Sequence, residues 1–137
     1  MLDFNNLNYV AILVTWLINM AVGSLWYSPI GFQKRWSKLS GIDMAEMPKN
    51  EANRAIGFVA ASAFVQSFVL AVVLHTMRIR GATKGFEAGL LLWFGLTAVT
   101  TIGNTLYARR SLRLWWLNAA FFLVVMAPGS VILSVWR

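Results

Sequence analysis

Apolar residues run almost unbroken over residues 8–28, 55–77, 86–107 and 114–136, and the polar residues collect in the short stretches between these runs. Each run reaches the roughly 20 residues that a helix needs to cross the hydrocarbon core of a bilayer. With no water there to satisfy peptide groups, a helix closes its own hydrogen bonds, so the pattern predicts four transmembrane helices. The connections RIRGATKG and ARRSLR are too short for anything but antiparallel neighbours. The expected fold class is therefore all-α, an integral membrane four-helix bundle in up-and-down order, with the spatial order of the helices left open. Residues 1–137 form one transmembrane domain, since the connections leave no residues for an independent water-soluble unit.

The first span, NYVAILVTWLINMAVGSLWYS, ends in Trp26, Tyr27, Ser28 and Pro29, where aromatic rings suit the headgroup boundary and proline marks a turn or a kink. Beyond it, IGFQKRWSKLSG sets Ile30, Phe32 or Gln33, Trp36 and Leu39 at helical spacing, with Lys34, Arg35 and Lys38 elsewhere around the turn. A short interfacial helix after the first span is expected, its basic residues against lipid phosphate. Trp26, Trp36, Arg109 and Arg110 are the expected interface anchors. Residues 40–54 form a polar linker, either a loop or a short helix. In the second span Gly57, Ala60, Ala61, Ser62 and Ala63 crowd the first half with small side chains, which is expected to face protein.

Composition supports the membrane reading: 58% of residues are hydrophobic and 12% charged, about half the charged share of an ordinary soluble domain. Cysteine is absent, which removes disulfides, thiolate metal sites and thiol nucleophiles, and the single histidine cannot build a multi-histidine metal centre. No metal or cofactor is expected. The segment before the first span has no basic region, so that span reads as a retained helix rather than a signal peptide.

The net charge of +7 resides in the connections, where anionic lipid headgroups rather than nucleic acid are the expected partner. Lys34, Arg35, Lys38, Lys49, Arg54, Arg109, Arg110 and Arg113 lie on one side, and Arg78, Arg80, Lys84 and Arg137 on the other. Eight against four places the first side in the cytoplasm and both termini outside, with inverted or dual topology as the alternative, because residues 78–84 are themselves basic.

Amide side chains in hydrocarbon need partners, which singles out Asn19, Gln66, Asn104 and Asn118. Thr15, Asn19 and Gly23 recur every four residues, and Thr97, Thr100 or Thr101, and Asn104 nearly so, each set along one helix face. Trp26, Tyr27, Asn104 and Asn118 share one half of the bilayer and are expected around one polar pocket. These groups are either interhelical bonds of about 0.6–2 kcal/mol apiece, with Gly23, Gly57, Gly95 and Gly103 permitting close packing, or the lining of a ligand site.

Proton-coupled transport is not expected, since no ionisable side chain sits at mid-membrane. Glu87 opens the third span, and His75 near the end of the second is expected within its reach, either as a proton-sensitive pair or as an ordinary interface histidine. Pro128 and Gly129 interrupt the last span, with curvature favoured over a functional break. No acid–base group is placed at depth, and Ser28, Ser62 and Ser67 have no base arranged around them, so the chain is not expected to be an enzyme.

The stretch GSLWYSPIGFQKRW, through Gly23, Trp26, Tyr27, Ser28, Pro29, Phe32 and Trp36, resembles a family of short bacterial four-span membrane proteins catalogued as domain of unknown function 1761. The third-span pattern GLLLWFGLTAVTTIGNTLY and residues 118–122 extend the resemblance over nearly the whole chain. The family often has glycine directly after the phenylalanine, whereas here Gln33 stands in that place and Gly31 comes earlier. The resemblance implies four spans in a bacterial cytoplasmic membrane, no established enzymatic role and no catalytic residues. The function expected is that of an oligomeric structural or accessory membrane component, partnered by lipid and by copies of itself or another membrane protein. The alternative is a small-solute or lipid transporter or channel lined by Asn19, Tyr27, Gln66, Asn104 and Asn118.

Overall fold

In the computed structural model, which describes residues 1–136, the regular elements are all helical. Arg137, counted above among the basic residues on the terminal side, lies outside the described residues. Helix α1, Tyr9–Trp26, starts where the Asn8 side-chain oxygen accepts the Ala11 N–H at 3.0 Å, satisfying one orphan donor of the first turn. Helix α2, Gln33–Ser40, is the short amphipathic segment, with Lys34, Arg35 and Lys38 exposed and Trp36 and Leu39 half-buried. It ends at Gly41, whose φ of 74° is the left-handed conformation that glycine adopts readily.

A single 3₁₀ turn, Met44–Glu46, separates α2 from α3, Lys49–Thr76. Helix α3 begins well before residue 55 because its first turns are polar: Lys49, Asn50, Glu51, Asn53 and Arg54 carry the helix out of the apolar zone, where hydropathy does not register it. The third span, Ala82–Tyr107, is built as α4, Ala82–Leu92, a π-helical segment, Trp93–Ala98, and α5, Val99–Tyr107. Helix α6, Leu112–Val135, is capped by the Ser111 hydroxyl, which accepts the Leu114 N–H at 3.2 Å.

All four spans meet through α6, which packs against α1, α3 and the whole length of the third span. Of the most apolar stretch of α6, 44% is buried, against 17% for the third span, so α6 is the hub and the third span touches the bundle on one side. Contact with α4 is the closest. A Cβ added to Gly85 would lie 2.0 Å from the Ser134 Oγ and 2.8 Å from the Ser130 carbonyl oxygen, and one on Gly89 would lie 2.7 Å from the Ser130 Oγ. Two glycines one turn apart thus let the backbones of α4 and α6 approach over two serines. On the opposite flank Gly129 admits the Thr15 methyl group of α1.

Two apolar clusters fill the bundle. Leu7, Ala11, Ile12, Leu70, Ala71, Val72, Leu74 and Leu133 pack at the end that carries the termini, and Trp93, Ala98, Ala119, Phe121, Val125 and Met126 pack toward the other.

Apart from Gly23, which packs on Phe121, the close-packing positions differ from those expected. Gly57, Gly95 and Gly103 have open space where a Cβ would stand, and the first half of α3, including Ala61 and Ser62, is largely exposed rather than turned toward protein. A small side chain permits approach but does not compel it, and here the approach is made by Gly85, Gly89 and Gly129. Helix α6 runs through Pro128 without a break, with Pro128 exposed and Gly129 buried.

Candidate functional site

The chain leaves α1 through a tight turn that occupies almost every polar group at the helix end. The Tyr27 N–H donates to the Gly23 carbonyl at 3.1 Å, the Ser28 hydroxyl to the Leu25 carbonyl at 2.7 Å, and the Phe32 N–H to the Trp26 carbonyl at 2.7 Å. Carbonyls left orphaned by the end of the helix are thereby satisfied. The fold-back is so close that a Cβ on Gly31 would stand 2.2 Å from the Leu25 oxygen. Glycine is needed at position 31, one place before the phenylalanine, and Gln33 is free to begin α2.

This turn brings the aromatic residues of the first connection against α6. The Trp26 ring lies 4.6 Å from that of Phe32 and 6.2 Å from that of Phe121, and Tyr27 stands edge-on to Phe121 at 5.5 Å and to Trp36 at 6.3 Å. Gly23 makes room, since a Cβ there would meet Phe121 at 3.4 Å. The Tyr27 hydroxyl donates to the Asn118 Oδ1 at 3.0 Å. Arg110 donates to the Ser40 carbonyl, tying the third connection to the end of α2, whereas Arg109 is exposed with φ of 55°. Trp26 and Trp36 are half-buried at this end, and the Trp26 Nε1 is buried without a hydrogen-bond partner among the described residues.

Asn104 does not join this cluster. It is exposed on the outer side of α5, while Tyr27 and Asn118 face each other across α1 and α6. The π-helical segment accounts for the difference. It changes the phase of the third span so that both Trp93 and Ala98 are buried against α6, which turns the following Thr100 and Asn104 outward. Nearer mid-depth, Asn19 Nδ2 donates to Gln66 Oε1 at 3.0 Å, joining α1 to α3.

Three tryptophans extend the same bonding to the backbone. Trp16 Nε1 donates to the Ala60 carbonyl at 2.9 Å, Trp93 Nε1 to the Ala119 carbonyl at 2.7 Å, and Trp115 Nε1 to the Ala98 carbonyl at 3.2 Å. Nothing in the hydropathy pattern distinguished these residues from membrane-facing tryptophans. Their indole N–H groups, which need acceptors when buried, were the available signal.

At the terminal end, Asp3 Oδ2 lies 3.5 Å from His75 Nε2. Among the described residues a carboxylate that faces His75 thus comes from the N-terminal segment, and Glu87 is exposed with no ion pair. Asn6, Asn8, His75 and Trp136 border a small cavity of about 20 Å³ there. At the opposite end an open groove of about 650 Å³ runs between α2 and the following turn, lined by Pro29, Gln33, Lys34, Ser37, Gly41, Ile42, Asp43 and Ala45. Neither space touches Asn19, Tyr27, Gln66, Asn104 or Asn118. The chemistry available to the intramembrane polar residues is neutral hydrogen bonding between helices.

A family model described as protein of unknown function (DUF1761) matches residues 10–134, and the chain belongs to that family. No curated protein and no solved structure matches it.

Proposed function

We propose that this member of the DUF1761 family is an oligomeric structural or accessory component of a bacterial cytoplasmic membrane, acting through helix–helix contact rather than through catalysis or transport. The observation that carries this reading is the third span, packed on α6 along one side while its outer side presents Leu96, Val99, Thr100 and the Asn104 amide. An amide on the outside of a span is stabilised by a partner that can hydrogen-bond to it, and another transmembrane helix supplies one. The transport reading is disfavoured because its lining residues engage each other, Asn19 with Gln66 and Tyr27 with Asn118.

Orientation follows from charge. The end that carries α2 and the connection between α5 and α6 also carries the eight basic residues, from Lys34 to Arg113, and faces the cytoplasm by the positive-inside rule. The termini then lie outside.

Cysteine cross-linking in native membranes tests the proposal directly, since the chain contains no cysteine of its own. Thr100→Cys is expected to give an oxidised species of two copies or of one copy with a partner, while Phe58→Cys on the exposed part of α3 gives none. Monomer alone at Thr100→Cys and at Leu96→Cys would contradict it.

A further inference from the structure

Lys34 and Asp43 line the same groove, yet neither makes an ion pair among the described residues. Two opposite charges that border one space of about 650 Å³ without meeting leave room for a ligand carrying both signs. The space is an open surface groove, with Gln33 and Ser37 half-buried and Lys34 and Asp43 exposed. Gln33 and Ser37 add an amide and a hydroxyl to the Lys34 side, and Pro29, Ile42 and Ala45 add apolar surface. Asp43 already accepts the Ala45 N–H at 2.9 Å through Oδ1, which fixes the carboxylate and leaves lone pairs on both oxygens for further donors.

We infer that this groove binds the zwitterionic headgroup of an amine-bearing phospholipid, with its phosphate at Lys34 and Ser37 and its ammonium at Asp43. Position favours a lipid over a soluble ligand. Pro29 sits three residues beyond Trp26, the last residue of α1, and Leu25 and Ile30 to either side of this turn are 63% and 92% exposed, an apolar surface along which acyl chains can descend into the bilayer. Within the groove, which Arg35 and Lys38 do not line, charge favours a zwitterion over an anionic headgroup. Lys34 and Asp43 cancel, so an anionic lipid gains the lysine but meets the carboxylate, while a primary ammonium satisfies it with N–H donors that a quaternary ammonium lacks.

The inference rests on the membrane reading above, and one preparation separates the two. The full chain is first tested for resistance to alkaline carbonate extraction; release from the membrane overturns the membrane reading and this inference with it. The embedded protein is then moved into nanodiscs containing equal phosphatidylethanolamine, phosphatidylcholine and phosphatidylglycerol, and its co-purified lipid is counted by native mass spectrometry. Phosphatidylethanolamine is expected to be enriched about five-fold over the other two, the ratio that one favourable charge contact at the membrane surface supplies.

Asp43→Asn keeps the cap to Ala45 but removes the carboxylate that opposes an anionic headgroup, so the preference should move from phosphatidylethanolamine to phosphatidylglycerol, and Lys34→Gln should lower all bound lipid. Arg113→Gln, a neutralised basic residue outside the groove, should change nothing. Equal occupancy by the three lipids in the unaltered chain, or a preference untouched by Asp43→Asn and Lys34→Gln, overturns the inference. Glycerophosphoethanolamine bound as tightly as phosphatidylethanolamine would show that the acyl chains contribute nothing, reassign the groove to a soluble ligand and overturn the lipid assignment.

Discussion

Asn19 and Gln66 hold α1 and α3 together through one amide–amide hydrogen bond of 3.0 Å, with Asn19 buried and Gln66 half-buried. Two amides that satisfy each other in hydrocarbon act as a pair, so their removal should be less than additive. Asn19→Ala and Gln66→Ala are each expected to destabilise the detergent-solubilised protein. The double-mutant cycle should return a coupling of about 0.6 kcal/mol and no more than about 2 kcal/mol. A coupling of zero in a chemical-unfolding titration would mean that the two side chains do not meet.

The contact of α4 with α6 makes a sharper prediction. Gly85→Ala drives a methyl group against the Ser130 carbonyl, which is backbone and cannot rotate away, and overpacking of this kind costs about 1–3 kcal/mol. Gly57→Ala meets nothing and should leave stability unchanged or slightly raised. Melting temperatures of the two variants, measured side by side, check the contrast.

At the exit from α1, Gly31→Ala should disrupt the fold-back onto the Leu25 and Trp26 carbonyls, loosening the aromatic cluster of Trp26, Phe32 and Phe121. Gln33→Gly places glycine after the phenylalanine but cannot restore the turn, because the close approach is at position 31. Tryptophan fluorescence should change with Gly31→Ala, and the double variant with Gln33→Gly should resemble that single variant.

Tyr27→Phe keeps the ring contacts to Phe121 and Trp36 and removes only the hydroxyl that donates to Asn118. A modest loss of stability is expected, on the order of 0.6–1.7 kcal/mol, with no change in solute uptake by vesicles containing the protein. Altered uptake by a folded Tyr27→Phe protein would favour the transport reading instead.

The four spans, their antiparallel order and the amphipathic α2 were legible in the sequence because they follow from hydropathy, connection length and helical period. Which helix occupies the centre was not. Helix α6 differs little from the others in apolar character, and its place as hub depends on small residues meeting across helices, Gly85 and Gly89 on Ser130 and Ser134. The π-helical segment was equally invisible, since one wide turn leaves no mark on composition, yet it decides that Trp93 faces inward and Asn104 outward. The carboxylate found beside His75 among the described residues was misplaced for a related reason. Asp3 lies 72 residues away in sequence and reaches it only because the N-terminal segment folds over the end of α3, where the Asp3 N–H also donates to the Thr76 hydroxyl.

Copy number in a bilayer tests the central claim most directly. Single-molecule photobleaching of labelled protein in liposomes at low protein density should show more than one copy per assembly, and Asn104→Leu should weaken self-association about three-fold or more, as loss of one interhelical polar contact predicts. A single copy at every density, in a protein that also captures no membrane partner on cross-linking from Thr100→Cys, would contradict the account.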